Sequence, residues 1–304
     1  MIIDTETHVF YFTKPSRTNP SQSLVTHCTW REHSADLLIA EMDRAGVDKS
    51  IVISYDAEDI LWHLERNGLG LEDFSGGKKY TLKSIEPYRD RLIWFTTLKN
   101  PRTRDSLKIL REDAALGAAG IKIFPSYIRF GLDEPEMLDV FRLCADLDLQ
   151  VLIAFGDLEP PVTLSLGTYL GQLERVISEF PGVNFGLMHG GCADPLNANE
   201  VADFEKICRL TRDHRNLYLG TAKVGNLWDD GTEYPFARYQ KRLEMFARKA
   251  GADRLMWATD WPWYDDRFIY EQGLNAIRRH AEYLTSAQKA EFLGGSAASF
   301  LKLG

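Results

Sequence analysis

Short apolar runs recur along the chain, separated by longer stretches whose apolar positions fall three and four apart. The runs at 49–54 (Ile51, Val52, Ile53), 92–98, 120–124, 150–155, 184–189, 217–221 and 254–259 read as strands. Met1, Ile2 and Ile3 lead into one more strand at the amino terminus. Between the strands, 35–45, 104–116, 135–147, 166–180, 199–213 and 235–250 read as amphipathic helices, the first stopping at Gly46. A further helical piece ends over 85–89, and two helices, 267–283 and 286–302, close the chain. Eight uniformly apolar strands suit a parallel sheet covered by helices. Eight strand–helix units are also the number that closes a barrel. The pattern therefore predicts one domain over 1–304, a distorted (β/α)8 TIM barrel. A doubly wound open sheet is the alternative. No glycine-rich phosphate-binding turn follows any strand, which weakens a nucleotide-binding reading.

Two segments break the rhythm. Residues 11–34, after the first strand, are polar and contain prolines; 62–80, after the second, carry Gly68, Gly70, Gly76 and Gly77. Both are expected to be long irregular loops, the kind that often form functional lids. His27, Trp30 and His33 lie in the first and read as surface or lid packing.

The first strand is the most informative. At a strand's period of two, Asp4, Glu6 and His8 are expected on one face. Burying two carboxylates and an imidazole is costly without a partner, and the simplest partner is a divalent cation. An edge strand with a wet face is the other reading.

In a barrel of this kind chemistry sits at the carboxyl ends of the strands. Those ends offer Glu6 and His8, then Ser54-Tyr55-Asp56, then Thr96, Thr97 and Lys99. They continue with Lys122, Gly156-Asp157, His189-Gly190-Gly191, Lys223 and Asp260-Trp261-Pro262-Trp263. Glu6, His8, His189 and Asp260 are metal-competent, and carboxylate with imidazole suits zinc, manganese or iron. Taken singly, a histidine here reads as a satisfied polar group and an aspartate as a helix cap; convergence is what would make them a site. Lys122 alternates with Ile121 and Ile123, so it points opposite to them, into the barrel. It then needs a substrate anion or an inner salt bridge with a site acid. Trp261 and Trp263 form a hydrophobic wall beside Asp260 that a ring-shaped substrate could touch.

Composition removes several function classes. Lysine and arginine number 36 against 44 acidic residues, net charge −8, with no basic stripe. Nucleic acid and anionic membranes are poor partners for such a surface. No apolar run reaches a membrane span and no basic, apolar leader precedes the first strand, so the expected location is the cytoplasm. The expected partner is a small molecule, with self-association left open. Cys28, Cys144, Cys192 and Cys208 are far apart and give no CxxC pattern; Cys144 and Cys208 read as core residues.

Five motifs in this order resemble the amidohydrolase superfamily: Ile2-Ile3-Asp4-Thr5-Glu6-Thr7-His8, Gly120-Ile121-Lys122-Ile123, Met188-His189-Gly190-Gly191, Ala258-Thr259-Asp260-Trp261-Pro262 and Leu293-Gly294-Gly295-Ser296-Ala297. The resemblance is to the branch of small metal-dependent hydrolases, lactonases, and aminocarboxymuconate-semialdehyde and resorcylate-type decarboxylases. It spans nearly the whole chain and implies one divalent ion, zinc first, held by Glu6, His8, His189 and Asp260. Two departures stand out. Glu6-x-His8 replaces the usual His-x-His, as in the decarboxylases of hydroxybenzoates. Ala154 stands where the fifth strand usually brings a histidine ligand. The gap leaves three outcomes: His189 or water completes the ligand set, a carbamylated Lys122 contributes, or the ion is absent.

The implied activity is hydrolysis of a small ester, lactone or amide, carboxylate-bearing, by activated water. Asp260 would relay the proton and His189 would polarise the scissile carbonyl. Lys122, Lys99 or Arg129 would anchor a substrate carboxylate, with Tyr55 and Trp261 along the substrate. The alternatives are a metal-dependent decarboxylase of a hydroxybenzoate-like acid, and a metal-free lactonase or a barrel that binds without catalysis.

Overall fold

The computed structural model describes residues 1–13, 32–66, 68–155, 164–222, 233–263 and 269–303. Eight parallel strands follow one another around a barrel: β1 (Ile3–Thr7), β2 (Lys49–Ile53), β3 (Leu92–Thr97), β4 (Gly120–Ile123), β5 (Gln150–Ile153), β6 (Phe185–Leu187), β7 (Leu217–Gly220) and β8 (Leu255–Met256). Each pairs with its sequence neighbour. The ring closes where the chain after β8 meets β1: Thr7 and Trp261 form a parallel bridge, and Thr5 donates its backbone N–H to the Trp257 carbonyl at 3.0 Å. The helices lie between strands at the expected places. The first, Ala35–Ala45, is capped by the Ser34 hydroxyl and stopped by Gly46 at φ 78°.

Alternation sorts the strand residues into two cores. Ile3, Ile51, Ile53, Phe95, Leu152 and Met256 fill the barrel, while Val52, Ile121, Ile123, Val151 and Leu187 pack outward beneath the helices. Phe300, on the last helix (Ser296–Phe300), joins the inner group, its ring 6.3 Å from Phe95 and 5.8 Å from Tyr218. This aromatic plug fills the barrel on the side away from the carboxyl ends of the strands.

Three expectations change. The first concerns Asp4. In β1, Asp4 aligns with Ser50 and Thr7 with Val52, so three steps on one strand match two on the other. This bulge inserts one residue and reverses the alternation. Ile3 points into the barrel, Asp4 and Thr7 point outward with Ser50 and Val52, and Glu6 and His8 point inward again. Asp4 is therefore not on the face of Glu6 and His8.

The second concerns the loops. The segment 62–80 is not irregular throughout. Phe74–Ser75 pairs antiparallel with Tyr11–Phe12, tying the two long loops together, and a helix begins at Lys78. The rings of Phe10, Phe12 and Phe74, 5.2 to 5.5 Å apart, supply the packing that holds this ribbon. His33 is buried against Phe10 and Trp261, as lid packing required. His27, Cys28 and Trp30 lie outside the described residues.

The third concerns the closing helices. The helix expected over 267–283 spans Tyr270–Arg278, and the last is split by a π turn at Glu291–Gly295. The turn lies where the backbone of Met1 crosses Gly294 too closely for a Cβ. Cys144 and Cys208 are core residues, as expected. No helix among the described residues is long and apolar enough to cross a membrane.

Gly120 opens β4 on the barrel's inner face, where a Cβ would overlap the Gln150 carbonyl oxygen and the Phe95 ring. Neither strand backbone nor a packed ring yields cheaply. Gly120→Ala should lower stability by about 1–3 kcal/mol, the usual cost of overpacking, and urea unfolding measures it.

Candidate active site at the carboxyl ends of the strands

Four elements deliver the polar groups. Glu6 and His8 come from the inward phase of β1, beyond its bulge. Lys122 comes from β4, aligned with Thr97 and Leu152 on the inner face. His189 follows β6 in a turn of four successive left-handed residues, His189, Gly190, Gly191 and Cys192. Asp260 follows β8, also left-handed at φ 56°. Non-glycine residues adopt this conformation rarely, and both are aimed at the same buried cluster by it.

The groups meet. His8 Nε2 lies 3.1 Å from Asp260 Oδ1, and His189 Nε2 lies 3.5 Å from Glu6 Oε1. The Lys122 ammonium makes an ion pair with that same Glu6 oxygen. Glu6, His8 and Asp260 each offer a donor atom within 4.8 Å of the others. Glu6 is fully buried, and His8, Lys122 and Asp260 are each 2% exposed, so water screens none of these charges.

The hydrogen bonds fix the imidazole tautomers. His8 Nδ1 lies 3.1 Å from the Ile53 carbonyl oxygen, and His189 Nδ1 lies 3.2 Å from that of Ala222. A carbonyl only accepts, so each Nδ1 carries the hydrogen and each Nε2 presents a lone pair to the carboxylates. Burial pushes the His8 imidazole below its ordinary value, although the bond to Asp260 opposes this, and so favours the neutral ring. Burial pushes the Glu6 carboxyl up, and Asp260 adds to that, while Lys122 pulls it down.

This donor set fits a divalent cation. Two imidazole lone pairs face carboxylate oxygens, and Glu6 Oε2 is buried with no hydrogen-bond partner. Electron-rich atoms this close require a proton or a cation between them. Two carboxylates stand against one ammonium, which leaves one negative charge in excess. Ala154 is buried on the inner face of the next strand and offers no ligand.

The expected substrate contacts are placed less uniformly. Tyr55 stands beside the site, its ring 4.9 Å from His8, and stacks on Phe74 at 5.7 Å and 8°. Trp261 does not line this wall. The turn that aims Asp260 inward sends Trp261 outward into the core under the helices, against His33. Trp263 keeps the expected place on it, with its ring 6.5 Å from both His8 and Tyr55. Lys99 donates to Asp56 at 2.7 Å and lies 3.4 Å from Asp59, so its charge is already paired, as is that of Lys122. Arg129 is exposed, left-handed at the end of the short helix Pro125–Ile128, and outside the cluster. Gly156, Asp157 and Lys223 lie outside the described residues.

Two supports were not foreseen. Asp4 accepts from the Thr259 backbone N–H at 3.0 Å and from its hydroxyl at 2.6 Å, tying β1 to the residue before Asp260. Burial pushes the Asp4 carboxyl up to about 7, with those bonds opposing it. Further round the rim, Asp194 ends the turn that carries His189. Arg242, on the helix Ala237–Ala250, holds it with two bonds of 2.9 and 2.7 Å. No local pattern links residues 48 apart, and the sequence carries no signal for this pair.

A family model described as amidohydrolase matches residues 3–303. No curated protein matches the sequence. Among solved structures, an amidohydrolase from Burkholderia multivorans with bound zinc is similar at 15% identity and a TM-score of 0.72, covering 100% of both chains. A probable 2-pyrone-4,6-dicarboxylic acid hydrolase from Acinetobacter baumannii is similar at 18% identity and 0.68, covering 99% of each. A 5-carboxyvanillate decarboxylase from Sphingomonas paucimobilis is similar at 16% and 0.61, covering 100% of this chain and 99% of its own. At these identities the likeness establishes the fold.

Arg242→Met should cost about 3 kcal/mol at neutral pH, the low end for a broken buried pair because Asp194 is partly wet. Burial raises the Asp194 carboxyl, but the Arg242 bonds outweigh it and hold it below the ordinary 3.8. A depressed carboxylate stabilises the fold above its unfolded value and loses that contribution as pH falls through the folded one. The gap between wild type and variant should therefore narrow below pH 3.8. Urea unfolding at neutral and acid pH checks both statements.

Proposed function

Because this chain belongs to the amidohydrolase family, we propose that it is a hydrolase that opens a small ester, lactone or amide with an activated water. Glu6, His8 and Asp260 would hold the divalent cation, zinc before manganese or iron, with His189 at its edge. The carrying observation is the meeting of these donors within 4.8 Å at the carboxyl end of a barrel, with both imidazoles turned to present Nε2. A cation there supplies Lewis-acid polarisation and a water acidified toward neutrality. The Asp260 carboxylate would take a proton from the attacking water and return it to the leaving group. Once protonated on Nε2 as well, His189 would donate from it to the oxygen that becomes negative, with its ring held by the Ala222 carbonyl. Glu6 and His8 stay in place and keep the site charged and dry.

The paired state of Lys122 and Lys99 bears on the substrate. A substrate carboxylate anchored at either must displace a carboxylate of the chain. Orientation by the ring faces of Tyr55 and Trp263 requires no such exchange, so the substrate is read as ring-bearing.

A second reading, decarboxylation of a hydroxybenzoate-like acid, is favoured by the same stacked rings beside His8 and by Glu6 in place of a histidine. There Asp260 would deliver its proton to a ring carbon as carbon dioxide leaves. Purified protein assayed for lactone, ester and amide opening beside carbon dioxide release separates the two. Hydrolysis that is lost to a chelator and restored by zinc or manganese is expected; carbon dioxide release without hydrolysis overturns the first reading. Asp260→Asn should lower kcat by about a thousandfold, within the usual range for a proton-transfer group, with an unchanged circular dichroism spectrum. A kcat within about tenfold of wild type would remove Asp260 from the chemistry.

A further inference from the structure

One buried charged group has no role in the chemistry above. Lys122 lies inside the barrel at 2% exposure, with its ammonium on Glu6 Oε1 and 4.8 Å over the Phe124 ring. Glu6 is also one of the three residues that gather around the candidate cation site. One buried carboxylate thus serves both an internal ammonium and the place where an external cation would bind.

We propose that Lys122 and a divalent cation compete for Glu6, so that Lys122 holds down the metal affinity of the site. The inference rests on reading Glu6, His8 and Asp260 as that site. The first support is charge. A divalent ion beside Glu6 and Asp260 balances the two carboxylates completely. With Lys122 in place the same ion leaves one positive charge in excess, in a setting where unscreened like charges repel strongly. The second is geometry. Lys122 occupies one Glu6 oxygen and the His189 imidazole lies 3.5 Å from that same atom, which leaves Oε2 as the buried oxygen without a partner. Drawing Glu6 fully onto a cation pulls it away from the ammonium. The third is the neighbouring strand. Ala154 brings no ligand from β5, so a weakened Glu6 is not compensated there. The site is built to be filled without a metal, by lysine, and to exchange that internal charge for an external one.

The test is the affinity of wild type, Lys122→Met and Lys122→Gln for Zn²⁺ and for Mn²⁺ alone. It is read by competition with a fluorescent chelator, so it requires no substrate. Both variants should bind about tenfold tighter or more, the scale on which groups behind metal ligands act. Their melting temperatures should also rise more on metal addition than that of wild type. Equal or weaker binding by the variants overturns the inference and leaves the metal reading standing; no binding by any of the three proteins overturns both. Should neither variant fold, a crystal structure of wild type grown with Mn²⁺ decides. There the Lys122 ammonium should lie beyond the ~4 Å reach of an ion pair with Glu6, and an ammonium still on Glu6 beside a bound ion overturns the inference.

Discussion

The seam that closes the barrel is the constraint on which the site depends. Along it, Thr5 donates to the Trp257 carbonyl, Asp260 to that of Glu6, and His8 to that of Trp261. The Asp4 carboxylate grips Thr259 from behind. These bonds join residues about 250 apart in sequence and place Asp260 against His8. Without closure, Glu6 and His8 would be polar residues at a sheet edge, solvated and without a chemical task. With it, they are buried charges that must be satisfied by one another, by Lys122, or by a cation.

The bulge in β1 divides the labour within one short strand. The outward carboxylate, Asp4, serves structure; the inward one, Glu6, serves chemistry. A regular strand would put both on the same face and leave the seam without its brace. The turns at His189 and Asp260 continue the arrangement, since both use left-handed backbone to bring a polar side chain back over the barrel mouth. The bidentate grip of Arg242 on Asp194 holds the far end of the His189 turn, so each donor is fixed by packing some residues away from it.

Much of this was legible in the chain. Period-two and period-three-to-four patterning located the eight strands and the helices between them, because burial between two layers leaves few alternatives for each residue. Alternation also put Lys122 inside the barrel, with an acid of the site as one of its two expected partners. What stayed hidden depended on backbone irregularity or distant pairing. The bulge moved Asp4 off the face of Glu6 and His8, and the turn at Asp260 took Trp261 off the wall that Trp263 alone keeps. The ribbon between Tyr11–Phe12 and Phe74–Ser75 joins two segments too short to register as strands. The partners of Lys99, Asp56 and Asp59, lie in the segment just after β2, yet only the folded ring brings them to a lysine after β3.

The central claim is that Glu6, His8 and Asp260 form one cation site at the mouth of the barrel. Anomalous diffraction from a crystal of the wild-type protein soaked in zinc, recorded on both sides of the zinc absorption edge, tests it most directly. The expected result is a single strong peak within coordination distance of His8 Nε2, Asp260 and Glu6. A map with no peak there, or with zinc only at surface sites, would contradict the account.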